Sequence, residues 1–101
     1  MDLDYLIRKS NYLDKKAPGI FLFHGYGSNK EDLFGLADFF PNTHTIISLE
    51  APIKLPFGGF SWFNIDYTDI IENNLDKRYK EINDGVESIL NNIDSLTEKF
   101  N

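Results

Sequence analysis

A short turn that contains histidine and glycine is the part of this sequence best suited to chemistry. Residues 24–28 read His-Gly-Tyr-Gly-Ser and follow directly on an apolar run at positions 20–23. Glycine allows a sharp turn because it has no Cβ to clash with the backbone. A turn at the carboxyl end of a strand exposes backbone N–H groups, and open α/β sheets bind their ligands there. Such a donor can stabilise the negative oxygen of an acyl-transfer transition state, and its removal costs about 3–4 kcal/mol of barrier.

The residues around this turn predict a strand, a helix and a second strand. The run at 20–23 is short and follows a Pro-Gly pair, which favours a strand buried on both faces. Ser28 and Glu31 have the spacing of a capping box, which marks the start of a helix that ends at Pro41. Residues 45–49 predict the next strand. Together these elements form a βαβ unit with parallel strands and a right-handed crossover.

Three further segments flank the βαβ unit. Residues 4–13 predict a half-exposed strand, and the turn-forming residues 14–19 predict a hairpin to the next strand. Residues 50–69 form a loop rich in Pro, Gly and aromatic side chains, and such a loop more often lines a site than only connects elements. Residues 75–100 predict one long helix with a single apolar stripe. That stripe consists of Leu75, Tyr79, Ile82, Val86, Ile89, Ile93, Leu96 and Phe100.

Two stretches of the chain resemble the signatures of a known family. Residues 23–33 read Phe-His-Gly-Tyr-Gly-Ser-Asn-Lys-Glu-Asp-Leu, and a second stretch runs from Ala51-Pro52 to Trp62-Phe63. In order and spacing they resemble the phospholipase/carboxylesterase family, which includes acyl-protein thioesterases. The resemblance implies the N-terminal half of an α/β-hydrolase fold. We therefore expect one partial α/β domain over residues 1–101: a hairpin plus the βαβ unit, an aromatic loop and a long C-terminal helix, with an incomplete sheet.

The same resemblance assigns expected roles to individual residues. The backbone N–H of Tyr26 would form part of the oxyanion hole. The residues that would shape the loop around it are His24, Gly25 and Gly27. Trp62 and Phe63 match aromatic residues near the acyl-binding groove and would line the substrate pocket. Asn64 stands where many members have Asp, so no role is carried over to its side chain.

The sequence predicts no complete catalytic centre. The nucleophile of this family lies in a Gly-x-Ser-x-Gly elbow after the next strand, and the acid and then the base follow it. The nearest match is Gly59-x-Ser61-x-Phe63, which lacks the last glycine and is not predicted to form a strand-to-helix turn. His24 and His44 precede any such serine, the wrong order for the base. We therefore expect that the nucleophile and triad are absent and that the chain alone is inactive.

Composition limits the partners. The chain has 10 basic and 16 acidic residues and a net charge of -6, which argues against nucleic acid and against an anionic membrane surface. It has no cysteine, no signal-peptide pattern and no membrane-spanning run, so we expect a soluble, cytoplasmic protein. The resemblance implies a small-molecule ester or thioester substrate for the intact enzyme. It implies no metal and no organic cofactor.

Two other functions remain open. Gly25-x-Gly27 with Glu50 after the next strand mimics a dinucleotide-binding βαβ unit, although Lys30 stands where that motif needs its third glycine. Alternatively, the chain could be a non-catalytic product of a truncated gene. Such a product could associate with itself or with a missing C-terminal half through its unfinished sheet edge and the helix stripe.

Overall fold

The strands and helices of this chain form a small sheet with helices on both faces. The computed structural model describes residues 2–12, 17–64 and 75–100. In chain order, the elements are β1 (Tyr5–Arg8), β2 (Gly19–Phe23), α1 (Lys30–Phe34), a 3₁₀ helix (Gly35–Phe39), β3 (Thr45–Leu49), β4 (Ile53–Lys54), β5 (Phe60–Ser61) and α2 (Leu75–Phe100). Position 13 of the predicted first strand, residues 14–16 of the predicted turn and residues 65–69 of the predicted loop lie outside the described residues.

The strand β3 is the centre of a three-stranded sheet of order β1-β3-β2. The strand β2 lies parallel to it, with Ile20 opposite Ile46, and β1 lies antiparallel to it, with Ile7 opposite Ile47. All five residues of β3 are buried, since it has a neighbour on each edge and helices on both faces. The parallel pairing of β2 with β3 confirms that part of the predicted βαβ unit.

Two predictions about the first strands are wrong. The strands β1 and β2 form no hairpin, because β1 lies on the far side of β3. A turn-forming sequence predicts that the chain changes direction, but it does not say which strand becomes the neighbour. In addition, β2 is not buried on both faces. In the described part of the chain it is one of the two edge strands of the sheet, and its side chains are half-buried or exposed.

Different elements cover the two faces of the sheet. On one face, Leu96 of α2 packs with Leu3, Ile47 and Leu49 in the main apolar cluster. The backbone N–H of Leu3 also donates to Asn92 of α2 over 2.9 Å. Side chains alternate between faces along a strand, so the residue between Ile47 and Leu49 points the other way. There the hydroxyl of Ser48 donates to the backbone oxygen of Lys30 in α1 over 2.7 Å.

The predicted helix after the turn is divided into two short pieces. Asn29, not Ser28, is the N-cap, because its side chain accepts a hydrogen bond of 3.0 Å from the N–H of Asp32. The hydroxyl of Ser28 donates instead to the carboxylate of Asp32. The helix changes to 3₁₀ geometry after Phe34. At its far end the guanidinium group of Arg8 donates to the backbone oxygens of Ala37, Phe40, Pro41 and His44.

The long helix has the predicted bounds, but its apolar stripe is covered only at one end. Leu96 is buried and Phe100 is half-buried, whereas Leu75, Tyr79 and Val86 are exposed. In the described structure the sheet packs against the carboxyl half of this helix, at Leu96. Among the described residues, no helix combines the length and the apolar character that crossing a bilayer requires.

Candidate functional site

The turn at residues 24–28 leaves β2 at the carboxyl end of the parallel strand pair. Gly27 has a φ of 81°, and the N–H of Ser28 donates to the backbone oxygen of Gly25 over 3.1 Å. The side chain of Tyr26 is exposed at the tip of this turn. Its backbone N–H has no hydrogen-bond acceptor within the described parts of the chain. This N–H can therefore bind an atom of a ligand.

A small hairpin, formed by β4 and β5, fixes the position of the turn. The N–H of Gly27 donates to the backbone oxygen of Phe60 over 3.0 Å. The N–H of Phe60 in turn donates to the backbone oxygen of Ser28 over 2.9 Å. Gly59, with a φ of 78°, lies directly against this contact. A Cβ atom at Gly59 would come within 2.0 Å of the backbone oxygen of Gly27. Only glycine therefore allows the hairpin to approach the turn this closely.

The imidazole of His24 joins the end of β2 to the segment that follows β3. The side chain is buried, with 3% of its surface exposed. Its Nε2 accepts a hydrogen bond of 3.0 Å from the N–H of Ala51, and its Nδ1 lies 2.8 Å from the backbone oxygen of Gly25. Because Ala51 supplies a donor and Gly25 an acceptor, the proton of the neutral ring is assigned to Nδ1. In this geometry His24 supports the backbone of the turn.

The indole of Trp62 packs against the same histidine. Its Nε1–H donates to the backbone oxygen of His24 over 2.8 Å. The two ring centroids are 5.1 Å apart, and the centroid of the Phe23 ring lies 5.6 Å from that of Trp62. On the other side, a Cβ atom at Gly85 of α2 would come within 2.9 Å of the backbone oxygen of Trp62. The glycine in α2 therefore lets the long helix approach the loop.

A cleft of about 490 Å³ lies between the aromatic loop and α2. Trp62 and Phe63, the two predicted pocket residues, form part of its apolar wall. The acidic residues Glu81, Asp84 and Glu87 of α2 also line it. Tyr26 does not line this cleft. Trp62 contacts both the turn, through His24, and the cleft. The exposed Tyr26 lies in the turn and outside the cleft.

No serine hydroxyl in the described ranges contacts an imidazole. The hydroxyl of Ser61 is buried and donates to the backbone oxygen of Phe63 over 2.6 Å. The hydroxyl of Thr43 lies 3.0 Å from Nδ1 of His44, but this pair precedes β3, at the opposite end of the sheet from the turn. The described residues therefore show no serine–histidine pair near Tyr26.

Lys30 and Glu31 of α1 form a small ionic group with Glu50. The carboxylate of Glu50, just after β3, is buried, and the Nζ of Lys30 lies 3.4 Å from it and 3.2 Å from Glu31. The hydrogen bond with Glu31 raises the pKa of Lys30, Glu50 raises it further, and burial partly offsets both. The pKa of Glu31 is lowered, first by its own backbone N–H and then by Lys30. No cluster of three His, Asp or Glu side chains that could hold a metal ion occurs in residues 2–12, 17–64 and 75–100.

Comparison with known proteins supports the fold. No family model and no curated protein matches the sequence. The crystal structure of esterase PE8 matches with a TM-score of 0.74 and 21% sequence identity, over 99% of this chain and 47% of that esterase. The chain thus spans about half the length of esterase PE8. At this level of identity the likeness concerns the fold, and the chain has a mixed α/β, esterase-like fold.

Proposed function

We propose that this chain carries the oxyanion-binding loop of a serine-type carboxylic ester or thioester hydrolase of the α/β-hydrolase fold. The observation that carries the proposal is the N–H of Tyr26, which has no acceptor among the described residues and lies in a turn after a parallel strand. The fold likeness to esterase PE8 supports the same reaction class. The phospholipase/carboxylesterase signatures in the sequence favour that family within the class.

In acyl transfer, a nucleophile attacks a carbonyl carbon and the carbonyl oxygen becomes negatively charged. A donor that is already in place stabilises this charge without reorganisation during the reaction. The two hydrogen bonds from the hairpin and the ring of His24 hold the turn in this way. Since no described serine contacts a histidine, we propose that the nucleophile, base and acid come from a further polypeptide segment, and that the chain alone is inactive.

The donor role of Tyr26 can be tested by removing its N–H while keeping a matched control. Tyr26→Pro removes the N–H, whereas Tyr26→Phe keeps it and changes only the exposed side chain. We would titrate both variants and the unmodified chain with hexylphosphonate, an anionic tetrahedral analogue, and follow backbone amide signals by NMR. A shift of the residue 26 amide in the unmodified chain and in Tyr26→Phe, with the neighbouring shifts lost in Tyr26→Pro, supports the proposal.

Two outcomes of this titration would count against the donor role. One is an unmodified chain whose Tyr26 signal does not respond to the phosphonate. The other is a Tyr26→Pro variant that binds as well as Tyr26→Phe. The indole signal of Trp62 reports whether the proline variant keeps its loop, because that N–H donates to His24. A proline variant that has lost this signal is set aside, and the response of the Tyr26 amide in the unmodified chain and in Tyr26→Phe then decides the outcome.

The absence of a nucleophile is tested separately with short p-nitrophenyl esters. We expect no turnover by the purified chain. Turnover that persists after Ser61→Ala would show that a nucleophile exists elsewhere in these residues, and the proposal of a separate catalytic segment would fail.

The dinucleotide-binding alternative meets a structural obstacle. In that fold a free acidic side chain after the second strand binds the ribose hydroxyls. Here the corresponding carboxylate, Glu50, is buried and lies within 3.5 Å of both the N–H and the Nζ of Lys30. Titration with NAD and NADP provides the test, and saturable binding would restore this alternative.

A further inference from the structure

We infer that His24 is a positioning residue, which holds the turn around Tyr26 only while its imidazole is neutral. The inference deepens the proposed function, and its effect on catalysis rests on that function. The structural part stands on the two ring contacts of His24 alone. Each contact uses a different nitrogen, and each joins the ring to a backbone atom.

The direction of the hydrogen bonds carries this argument. The N–H of Ala51 is a donor, so Nε2 of His24 must present a lone pair to it. A protonated imidazole carries a proton on both nitrogens. Protonation would therefore place two donors face to face at a residue of which 3% of the surface is exposed. A buried donor without an acceptor is costly, so the ring and the segment at Ala51 must separate.

Among the described residues, no ionisable side chain offers an acceptor that would compensate for this change. The ionisable side chains on the nearby elements are Glu50 after β3, which is paired with Lys30, the exposed Lys54 of β4, and Glu81, Asp84 and Glu87 of α2, which line the cleft with Trp62. Tyr26, in the turn itself, is exposed and contacts Phe57. Within the described structure, none of these groups is a hydrogen-bond partner of the imidazole.

The consequence reaches the turn through Trp62. The indole stacks on the imidazole and donates to the backbone oxygen of the same residue. A ring that leaves Ala51 disturbs both contacts, and with them the strand end from which the turn starts. Acid therefore releases the turn, and the N–H of Tyr26 loses its fixed position.

The composition of the chain makes this testable by spectroscopy. Trp62 is the single tryptophan, and His44 is the other of two histidines. A protonated imidazole in contact with an indole quenches its fluorescence. We would titrate the chain between about pH 8 and pH 5, the range in which histidine changes charge. The background is His44→Gln, which removes the other histidine.

Two variants at position 24 separate the explanations. In His24→Gln the amide oxygen can accept from Ala51 and cannot be protonated in this range. We expect this variant to keep the indole N–H signal of Trp62 and to lose the acid-induced changes. His24→Ala should lose the Trp62 contact at every pH. Long-range ¹H–¹⁵N spectra at the alkaline end should place the proton of His24 on Nδ1.

The inference is overturned if the proton resides on Nε2, or if the acid-induced change in Trp62 persists in His24→Gln. Titration with hexylphosphonate at both ends of the pH range then connects this result to function. A Tyr26 response that disappears in acid in the His44→Gln background but not with His24→Gln supports the link to the oxyanion loop. A correct tautomer with no Tyr26 response at any pH leaves the role of His24 in place and refutes the proposed function instead.

Discussion

His24, Trp62 and Gly59 hold the candidate loop, and each of them does so against a backbone atom of another segment. His24 accepts from the N–H of Ala51, and Trp62 donates to the backbone oxygen of His24. Gly59 acts by having no side chain, which brings β5 against the turn. These contacts fix a main-chain donor, so the identity of the exposed Tyr26 side chain matters less than the path of its backbone.

We expect Gly59→Ala to be far more destabilising than Gly58→Ala. Both glycines have positive φ, so alanine costs about 1–2 kcal/mol at either position. At Gly59 the new Cβ also overlaps the backbone oxygen of Gly27, whereas at Gly58 nothing lies within 4 Å. The free energy of unfolding should fall by about 3 kcal/mol or more for Gly59→Ala. Urea unfolding followed by fluorescence measures both, and similar losses would contradict the assigned backbone contact.

The sequence identified the position of the turn but not its supports. Residues 24–28 are recognisable because histidine and two glycines follow an apolar run. The bond between His24 and Ala51, and the contact between Gly59 and Gly27, join residues far apart in the chain. Local spacing contains no information about such distances. A family signature did single out Trp62, but as a pocket residue and without its hydrogen bond to His24.

At the scale of elements, the apolar periodicity predicted the bounds of the most regular elements. It did not predict features that depend on which elements are neighbours in the fold. The strand β3 and the helix α2 have the predicted bounds, because each has a strong and continuous apolar pattern. The pairing of β1 with β3 was missed, because β2 and β3, the two possible neighbours of β1, are apolar strands of the same length. The division of the first helix was also missed. Arg8, whose guanidinium group binds the carbonyl oxygens at its end, comes from a separate strand.

Lys30 fastens α1 to the end of β3, and we expect Lys30→Met to weaken this junction. The substitution leaves the buried carboxylate of Glu50 without its ammonium partner, which should cost about 1–2 kcal/mol. Lys80→Met is the matched control, because Lys80 and Asp84 are largely exposed and 3.8 Å apart. Such surface pairs contribute about 0.5 kcal/mol or less. Chemical denaturation at neutral pH measures both, and equal losses would contradict the role of Lys30.

The pH dependence of this difference has a definite sign. The pKa of Lys30 is raised above its ordinary 10.5, so its contribution is complete at neutral pH and is lost as pH rises through the raised value. The pKa of Glu31 is lowered below 4.5, so its contribution is lost only as pH falls through that lowered value. The difference between the unmodified chain and Lys30→Met should therefore stay level between pH 4.5 and pH 10.5, the ordinary pKa values of the two groups, and change outside this range. Chemical denaturation of both proteins at several pH values checks this, and a difference in the free energy of unfolding that changes within this range would contradict it.

At the scale of the whole molecule, two apolar surfaces lack a covering element in the described structure. The strand β2 has one free edge, without charge or proline to protect it. The amino half of α2 exposes Leu75, Tyr79 and Val86. More than half of esterase PE8 has no counterpart in this chain. We propose that the chain uses these surfaces to associate with itself or with a separate C-terminal half.

Self-association should weaken when a charge is placed on the exposed helix face. Val86→Glu puts a carboxylate in the middle of that face. We expect it to raise the dissociation constant of self-association at least about tenfold, which is about 1.4 kcal/mol of association free energy. Asn83→Glu is the control, because Asn83 is an exposed polar residue of the same helix. Light scattering over a concentration series measures both. An unmodified chain that stays monomeric at every concentration would contradict self-association.

The uneven burial of α2 has a consequence for how the molecule melts. Its carboxyl half is held by Leu96 and Asn92, whereas Leu75, Tyr79 and Val86 in its amino half are exposed. Amide protons near Leu96 should exchange only when the sheet opens, and those near Tyr79 should exchange through local fraying. Far-ultraviolet ellipticity, which follows the whole helix, will then begin to fall at a lower temperature than the fluorescence of Trp62. The helix is one element in shape but two in its thermal response.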